Sequence, residues 1–250
     1  MTNPLQSSPC HRRRWFQFGL RGLLIVMTIF VFWLGSNANR AHQQRVAVAR
    51  VLKLGGFVQY EYQAYRDSQG RFISDSSETS SYPDWLLRLL GPDHLHNVTL
   101  VGLENSNVAD EDLRLFSKVS SIEILDLSGT NVSSDGLRHI KSLPKLRFLS
   151  LARTNVDDRG VEQLRFHTRL NMLALDGTKI TDEGLRYLES MTDLENWLGL
   201  AHTQVSDAGL VHLQCLKKLR TLNLIGTQVT NAGARQLKSA LPNTDIRIRP

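Results

Sequence analysis

The chain has 250 residues and a formal net charge of +6, a balance that on its own would suit a nucleic-acid-binding protein. The charge is concentrated, however: residues 1–56 hold eight Arg and Lys residues and no Asp or Glu, so the rest of the chain carries −2. This distribution argues against nucleic-acid binding and assigns the basic character to an apolar N-terminal segment.

The first predicted element is a membrane-spanning signal anchor at residues 15–38, preceded by a basic cytoplasmic tail at residues 1–14. As a helix, Trp15 to Trp33 would extend over about 27 Å, close to the hydrocarbon thickness of a bilayer. The tail ends in Arg12-Arg13-Arg14, which favours a cytoplasmic N-terminus and places the remaining chain outside the membrane. Residues 15–35 would contact the lipid.

A cleaved signal peptide is the alternative, because Ser36-x-Ala38 matches a small-residue cleavage site. The protein would then be secreted. We favour the anchor because the apolar stretch is rich in aromatic residues and continues without a helix breaker into the next helical segment. Determination of the mature N-terminus separates the two hypotheses.

Residues 39–73 are predicted as a juxtamembrane helix followed by a strand. Gly55-Gly56 would end the helix, and Val58, Tyr60 and Tyr62 alternate as on one face of a strand. Two interpretations remain open: an early cap of the C-terminal domain, or a separate small α/β unit. Residues 74–83 read as a linker, and residues 84–94 as a capping helix that covers the apolar end of the C-terminal domain.

From residue 95 to residue 250 a pattern recurs about every 24 residues, in six copies that share one register. One copy reads Leu170-x-x-Leu173-x-Leu175-x-x-Thr178-x-Ile180-x-x-x-Gly184-Leu185-x-x-Leu188. A fixed period of this length predicts a solenoid. The Leu-x-Leu alternation predicts a strand in each copy, the Gly-Leu stretch predicts a helix, and Ile246-x-Ile248 predicts a closing strand.

These repeats resemble the leucine-rich-repeat family, with units of the ribonuclease-inhibitor-like or cysteine-containing type. With the N-terminal apolar segment, the whole chain resembles bacterial membrane-anchored leucine-rich-repeat proteins. The resemblance implies an α/β solenoid, a right-handed arc with a concave parallel β-sheet and convex helices, preceded by one N-terminal transmembrane helix. Many family members have Asn or Cys where this chain has a column of threonines, namely Thr130, Thr154, Thr178, Thr203 and Thr227.

Several repeat positions predict structural roles. Each column threonine should be buried and should pair its hydroxyl with nearby backbone. A second column is placed to cap the helices: Ser133, Asp157, Thr181, Ser206 and Thr230. The fifth copy has three residues between Leu194 and Leu198 where the others have two, which predicts a bulge in its strand or a neutral insertion.

The chain carries no recognisable catalytic signature, and we predict no enzyme activity, cofactor or metal. The two cysteines, Cys10 and a half-buried Cys215, have no partners at metal-ligand spacing. His94-x-His96 alone is a weak metal signal. Asp126 and Asp176 should face the same side in different columns, nearly 10 Å apart by strand spacing, which is unfavourable for concerted acid–base work.

The candidate functional residues lie on the concave face. The column before the first strand leucine reads Leu100, Ile124, Phe148, Met172, Trp197, Thr221 and Asp245. Its five successive apolar residues predict an exposed strip of the kind that binds partners, unless cross-strand packing shields it. The predicted binding residues are Ile124, Asp126, Phe148, Ser150, Arg153, Met172, Asp176, Trp197 and His202.

The function predicted is recognition of a protein or peptide partner by a non-enzymatic, membrane-anchored module. The secreted form is one alternative; an enzyme or regulatory subunit that uses the Asp and His residues of the concave face is the other. The last strand is predicted to be protected against edge pairing by Arg247, Arg249 and Pro250. The sequence predicts neither the partner's identity nor the oligomeric state.

Overall fold

A computed structural model describes residues 20–61, 64–66, 72–74 and 82–248. The basic tail, Trp15, most of the predicted linker, and Arg249 and Pro250 lie outside the described residues. The described residues fall into two compact units, divided between Asn39 and Arg40.

In the first unit the described residues belong to helix α1, Leu20–Lys53, which continues into the second unit. Its large apolar side chains from Leu23 to Trp33 are between 52% and 79% exposed. By length and composition, Gly22–Lys53 is the one segment in the described part of the chain able to cross a membrane.

The second unit begins with the C-terminal part of α1, which packs with strand β1, Phe57–Tyr60, on the first repeat. Ala47, Val51 and Tyr60 are buried in the same core as the repeat leucines. Strand β1 pairs antiparallel with the first repeat strand, with a register shift between Gln59 and Tyr60. Of the two interpretations left open by the sequence, the structure therefore shows a cap.

The helix predicted to be that cap does not act as one. Helix α2, Asp84–Leu90, buries no residue, and Trp85 and Leu89 are 65% and 72% exposed. The short helix α3, Pro92–Leu95, comes next and buries Asp93. The first repeat is already covered by α1 and β1, and the side chains of α2 are half-buried or exposed. Before it, strands β2, Ala64–Arg66, and β3, Phe72–Ser74, form an antiparallel pair that the sequence did not predict.

The repeats form a leucine-rich-repeat-like α/β fold in which a short strand alternates with a helical segment. The repeat strands are β4 (Val98–Gly102), β5 (Ile124–Asp126), β6 (Phe148–Ser150), β7 (Met172–Ala174), β8 (Trp197–Gly199), β9 (Thr221–Asn223) and β10 (Asp245–Arg247). The α-helices are α4 (Asp110–Phe116), α5 (Asp158–Leu164), α6 (Asp182–Leu185) and α7 (Asn231–Ala240). Three 3-10 helices complete the described repeats, at Gly136–Ser142, Arg186–Ser190 and Gly209–Leu213.

One eight-stranded sheet joins these repeats, in the order β1-β4-β5-β6-β7-β8-β9-β10. All neighbours from β4 to β10 are parallel. The predicted leucine columns form its core; Leu125, Leu149, Leu173 and Leu198, for example, are fully buried. Burial of one such side chain contributes about 1.5–3 kcal/mol, so stacked repeats share a continuous apolar interior.

The threonine column is structural, as the sequence predicts. Each hydroxyl donates to the carbonyl three residues earlier in its own repeat; Thr130 bonds Leu127 at 2.6 Å and Thr203 bonds Leu200 at 2.6 Å. Four of the five threonines are buried and Thr227 is half-buried. The hydroxyl closes the turn after the strand and leaves no buried polar group unpaired at this position.

The predicted capping column also forms, but it makes a second set of bonds that the sequence did not predict. Asp157, Thr181 and Thr230 cap α5, α6 and α7, while Ser133 and Ser206 accept from the backbone two residues later. In addition, an aspartate of the preceding repeat binds this column. Asp158 accepts the backbone N–H of Thr181 at 2.9 Å and its hydroxyl at 2.7 Å, and the same pair of bonds links Asp110 to Ser133, Asp182 to Ser206 and Asp207 to Thr230.

These aspartates explain the glycine column. A Cβ at Gly184 would lie 2.4 Å from Asp158 Oδ1, and one at Gly209 would lie 2.3 Å from Asp182 Oδ1. Gly136, Gly184, Gly209 and Gly233 therefore make room for the carboxylate of the preceding repeat, and Gly160 makes room for Ser134. In the first repeat the equivalent position holds Asp112, whose carboxylate is 2.7 Å from Arg50 Nε of the cap helix.

The extra residue of the fifth repeat does not disturb the strand itself. The pairing of Met172 with Trp197 is in register, and no shift interrupts β7 and β8. Instead, the backbone N–H groups of Glu195 and Asn196 both donate to the carbonyl of Asn171 just before β8 begins. The predicted bulge is thus an insertion at the start of the strand.

Candidate functional site

The predicted strip occupies one continuous row on the outward face of the sheet, the face opposite the leucine core. Strand pairing places Ile124 beside Phe148, Phe148 beside Met172, and Met172 beside Trp197. Leu100 and Thr221 extend the row at either end. All six side chains are half-buried, so cross-strand packing shields part of the strip and leaves the rest accessible to solvent.

Trp197 occupies a more polar setting than its neighbours in the row. The guanidinium carbon of Arg247 on β10 lies 5.6 Å from the centre of the indole ring, a cation–π contact. Gly199, two residues after the tryptophan, has no room for a side chain, since a Cβ there would lie 2.1 Å from Asp176 Oδ2. A cation and a carboxylate thus lie close to the C-terminal end of the strip.

Asp176 is held by the scaffold. Its Oδ1 accepts the backbone N–H of Ala201 at 2.9 Å and the side-chain amide of Asn223 at 3.2 Å. Burial raises the pKa of its carboxyl, although these hydrogen bonds and the nearby His202 act in the opposite direction. These hydrogen bonds hold the Asp176 carboxylate to one residue in each of the next two repeats.

Asp126 and Ser150 form a separate polar chain. Asp126 Oδ1 accepts from the backbone N–H and the hydroxyl of Ser128, and that hydroxyl lies 2.6 Å from Ser150 Oγ. Ser150 is buried, and Asp126 pairs directly with it across β5 and β6. The hydrogen bonds of Asp126 and Asp176 thus belong to two separate local networks.

Arg153 and His202 are turn residues with an unusual backbone. They have φ values of 57° and 56°, and Asn105 has 54°, in the left-handed region that favours glycine. In the alternate repeats the same position holds Gly129, Gly177 and Gly226. A Cβ at Gly226 would lie 2.4 Å from His202 Nδ1, so the side chain of one repeat covers the glycine of the next. The alternation of these residues with glycine is already visible in the sequence.

Arg153 also reaches back two repeats along the edge where the strands end. Its guanidinium lies 3.7 Å from Glu104 Oε1 and 3.5 Å from Asn105 Oδ1, and all three residues are exposed. Predicted polar neighbours of the strip are therefore present, but Arg153 and His202 stand at the turn rather than on a strand.

A charged groove of about 500 Å³ runs along the opposite edge, where the strands begin. It is lined by Glu123, Lys145, Arg147, Arg169, Asn171, Asp193, Glu195 and Lys218. Four of these residues lie one or two residues before a strand, and the others lie two residues earlier still in their repeats. The sequence did not predict this site, although its residues recur at the repeat spacing.

The histidine pair of the predicted weak metal signal does not form a joint site. His96 is buried 4.0 Å from Glu61 Oε1, and desolvation lowers its pKa, whereas His94 Nδ1 lies 3.3 Å from an Arg45 nitrogen. Within the described ranges there is no group of three or more His, Cys, Asp or Glu residues able to hold a metal ion. Cys215 is exposed, not half-buried as predicted.

No protein-family model matches this chain, and no curated protein is similar to it in sequence. Among solved structures, an internalin of Listeria monocytogenes is similar with 15% identity and a TM-score of 0.43 over 53% of this chain and 43% of that one. Internalin C2 of the same organism has 15% identity and a TM-score of 0.43, covering 61% and 81%. A leucine-rich-repeat protein of Leptospira interrogans has 17% identity and a TM-score of 0.49, covering 66% and 39%. The chain thus spans less than half the length of the first and third of these proteins.

Proposed function

We propose that this protein is a non-enzymatic binding module that recognises a protein or peptide through the outward face of its repeat sheet. The observation that carries the proposal is the apolar row of Ile124, Phe148, Met172 and Trp197. The leucines, threonines, aspartates and glycines of the repeats all have structural tasks, and this row is the large apolar feature of the sheet that remains outside the core. Contiguous apolar surface with aromatic and Met side chains is typical of partner sites.

The polar residues around the row support recognition of a partner. Arg153, His202 and Arg247 are exposed near the ends of the strands, while Asp126 and Asp176 are held rigidly by hydrogen bonds. An apolar centre with a polar rim is the usual anatomy of an interface. The same hydrogen bonds assign Asp126 and Asp176 to the scaffold, which makes the enzymatic alternative less favourable.

We further propose that helix α1 anchors the protein in the cytoplasmic membrane, with the repeats outside. The exposed apolar side chains of Leu23 to Trp33 support a lipid environment. Arg12-Arg13-Arg14 supports a cytoplasmic N-terminus. Ser36 and Ala38 lie within the continuous helix, whereas proteolysis favours exposed, irregular backbone, and this supports the anchor over the secreted alternative.

The binding proposal is tested by crosslinking in cells that produce the full chain, followed by identification of captured proteins. A variant with Phe148→Ser, Met172→Ser and Trp197→Ser should lose the partners that the wild-type chain captures. The matched control replaces exposed apolar residues outside the sheet, Phe166→Ser and Val211→Ser, which are 58% and 57% exposed. If the strip variant keeps its circular dichroism spectrum and captures the same partners as the wild type, the strip is not the binding site.

A further inference from the structure

The groove lies along the edge of the sheet where the strands begin, and it differs from the rest of the repeats in being lined almost entirely by charged side chains. Its walls come from two columns that recur in successive repeats, one close before each strand and one two residues earlier. The backbones of equivalent residues in neighbouring repeats are about 4.8 Å apart across the sheet, which is the spacing between strands. Charges in one column therefore lie within interaction distance of one another.

At one end of the groove the charges are paired. Lys218 Nζ lies 2.7 Å from Asp193 Oδ1, and Arg220 Nη2 lies 2.8 Å from Glu195 Oε1. The hydrogen bond from Lys218 lowers the pKa of the Asp193 carboxyl. These two ion pairs join the fifth repeat to the sixth and leave little excess charge there.

At the other end of the groove cations outnumber carboxylates. Lys145, Arg147 and Arg169 belong to the third and fourth repeats, line the same groove and form no ion pair within 4.0 Å with any residue that the structure describes. Arg169 is nevertheless close enough to Asp193 to help lower the pKa of that carboxyl, and Glu123 lies one repeat before Arg147 in the same column. Lys145 and Arg169 are exposed and Arg147 is half-buried. Residues 57–250 carry −2 overall, so this positive cluster is a local feature and not a consequence of a basic domain.

The cluster directly adjoins the apolar strip. Arg147 precedes Phe148 in the chain, and Asn171, which also lines the groove, precedes Met172. A ligand that packs on Phe148 and Met172 therefore brings its adjacent polar group next to the cations. The two surfaces together offer apolar contact and anion binding to one extended segment.

We propose that this groove binds the carboxylates of an acidic peptide segment whose apolar side chains lie on the strip. The inference rests on the proposed binding function and names the chemistry of the partner. Charge complementarity selects carboxylates for Lys145, Arg147 and Arg169. Glu123, Asp193 and Glu195 line the same groove and limit its positive charge, so a peptide with a few spaced carboxylates fits better than a densely charged polyanion. The Asn171 side-chain oxygen already accepts from Asn196 Nδ2, and its amide nitrogen can donate to a peptide carbonyl.

The test uses the full chain in nanodiscs of uncharged phosphatidylcholine and a fluorescein-labelled peptide of four Glu-Leu pairs. Matched peptides with Gln or Lys in place of Glu serve as comparisons. The wild-type chain should bind the Glu peptide at least about tenfold more tightly than the Gln peptide, and the affinity should fall with added salt. A variant with Lys145→Gln, Arg147→Gln and Arg169→Gln should lose this preference.

Two further variants make the result decisive. The control with Lys118→Gln, Arg138→Gln and Lys179→Gln removes three exposed cations outside the groove and should bind as the wild type does. The charge-reversed variant with Lys145→Glu, Arg147→Glu and Arg169→Glu should prefer the Lys peptide, a gain that misfolding cannot produce. No Glu-peptide binding by the wild type, equal loss in the groove and control variants, or an unchanged preference after charge reversal would overturn the proposal.

The same variants separate this inference from the proposed function. If the strip variant loses its cellular partners while the groove variants bind the Glu peptide normally, the binding function stands and the acidic-peptide assignment is wrong. If the groove variants lose the peptide while the strip variant keeps all its cellular partners, the groove is a binding site and the strip is not.

Discussion

A side chain in the aspartate column of one repeat bonds a side chain in the capping column of the next, and we call each such pair of repeats a step. One step shows how closely the two columns depend on each other. Four steps use an aspartate of one repeat and a hydroxyl residue of the next. Between the second and third repeats the residues are exchanged: Ser134 stands in the aspartate column and Asp157 in the hydroxyl column. Ser134 Oγ then donates to Asp157 and accepts its backbone N–H at 2.9 Å. The exchange preserves one carboxylate and one hydroxyl at each step.

This dependence predicts a compensating pair of substitutions. Ser134→Asp alone places two carboxylates in contact and removes a hydroxyl donor, so it should lower the free energy of unfolding by about 1 kcal/mol or more. Adding Asp157→Ser restores the arrangement of the other steps and should recover most of the loss. The measurement is urea unfolding of the full chain in detergent micelles, followed by circular dichroism, as a double-mutant cycle.

The pH dependence gives an independent check. The Ser134 hydroxyl lowers the pKa of Asp157 from its ordinary value of 3.8, so the bond stabilises the wild type above that value and is lost as the pH falls through the lower folded-state pKa. In Ser134→Asp the paired carboxylates instead raise a pKa, and protonation relieves their repulsion. The loss in free energy of unfolding of this variant, relative to the wild type, should shrink as the pH falls from about 7 to about 4, where carboxylates begin to protonate. A loss that is constant with pH would contradict the explanation.

Asp176 provides a second prediction at the scale of single residues. The hydrogen bonds from Ala201 and Asn223 both go to Oδ1, and Asp176→Asn keeps that acceptor while removing a desolvated charge. Because burial raises the folded-state pKa of this carboxyl, the wild type loses stability as the pH rises through that pKa. At neutral pH the Asn variant should therefore unfold at the same or a higher urea concentration, and the difference should vanish in acid. Clear destabilisation at neutral pH would show that the carboxylate charge itself is needed.

At the scale of elements, the repeats could be predicted from the sequence, but the choice between two possible capping segments could not. Six copies of one apolar pattern identify the repeats, and the strand positions follow from the Leu-x-Leu alternation. The cap occurs once, so no period identifies it. Helix α2 has apolar residues at helical spacing, as α1 does, and only the contacts show that Val51 is buried while Trp85 is exposed. Choosing between two amphipathic segments requires tertiary information.

The cap contact predicts a specific defect. Arg50 donates to Asp112, a buried carboxylate at the position that later repeats fill with glycine, and the pair raises the pKa of the Arg50 guanidinium. Arg50→Ala should lower the urea midpoint, because it leaves that carboxylate without its counter-charge. Asp112→Asn in the same chain should recover part of the loss. Lys53→Ala, further along α1 at an exposed position, is the control and should have little effect.

For the whole molecule, the sequence could locate the strip but not the groove. Strict alternation along a strand shows which residues face outward, so Phe148, Met172 and Trp197 could be placed in one row from the repeat pattern alone. The groove residues lie before the strands, where no such rule fixes a direction. Their recurrence at Lys145, Arg169, Asp193 and Lys218 was a signal of shared position, but not of a shared cavity.

The proposed topology predicts opposite accessibility for the two cysteines, which lie on either side of the proposed span. Cys215 is exposed in the repeats, and Cys10 lies in the basic tail. In intact cells a membrane-impermeant maleimide should label the Cys10→Ala variant, through Cys215. The Cys215→Ala variant should be labelled only after the membrane is permeabilised, because Cys10 is then the remaining thiol and is held inside by the adjacent arginines.

Each competing topology gives a different labelling pattern. Cleavage near Ala38 removes Cys10, so the Cys215→Ala variant would never be labelled and mass spectrometry would find a mature chain that begins at about Asn39. A chain retained entirely in the cytoplasm would leave both variants unlabelled until permeabilisation. The anchored protein alone gives immediate labelling at Cys215 together with delayed labelling at Cys10, because only a spanning α1 separates the two residues by a bilayer.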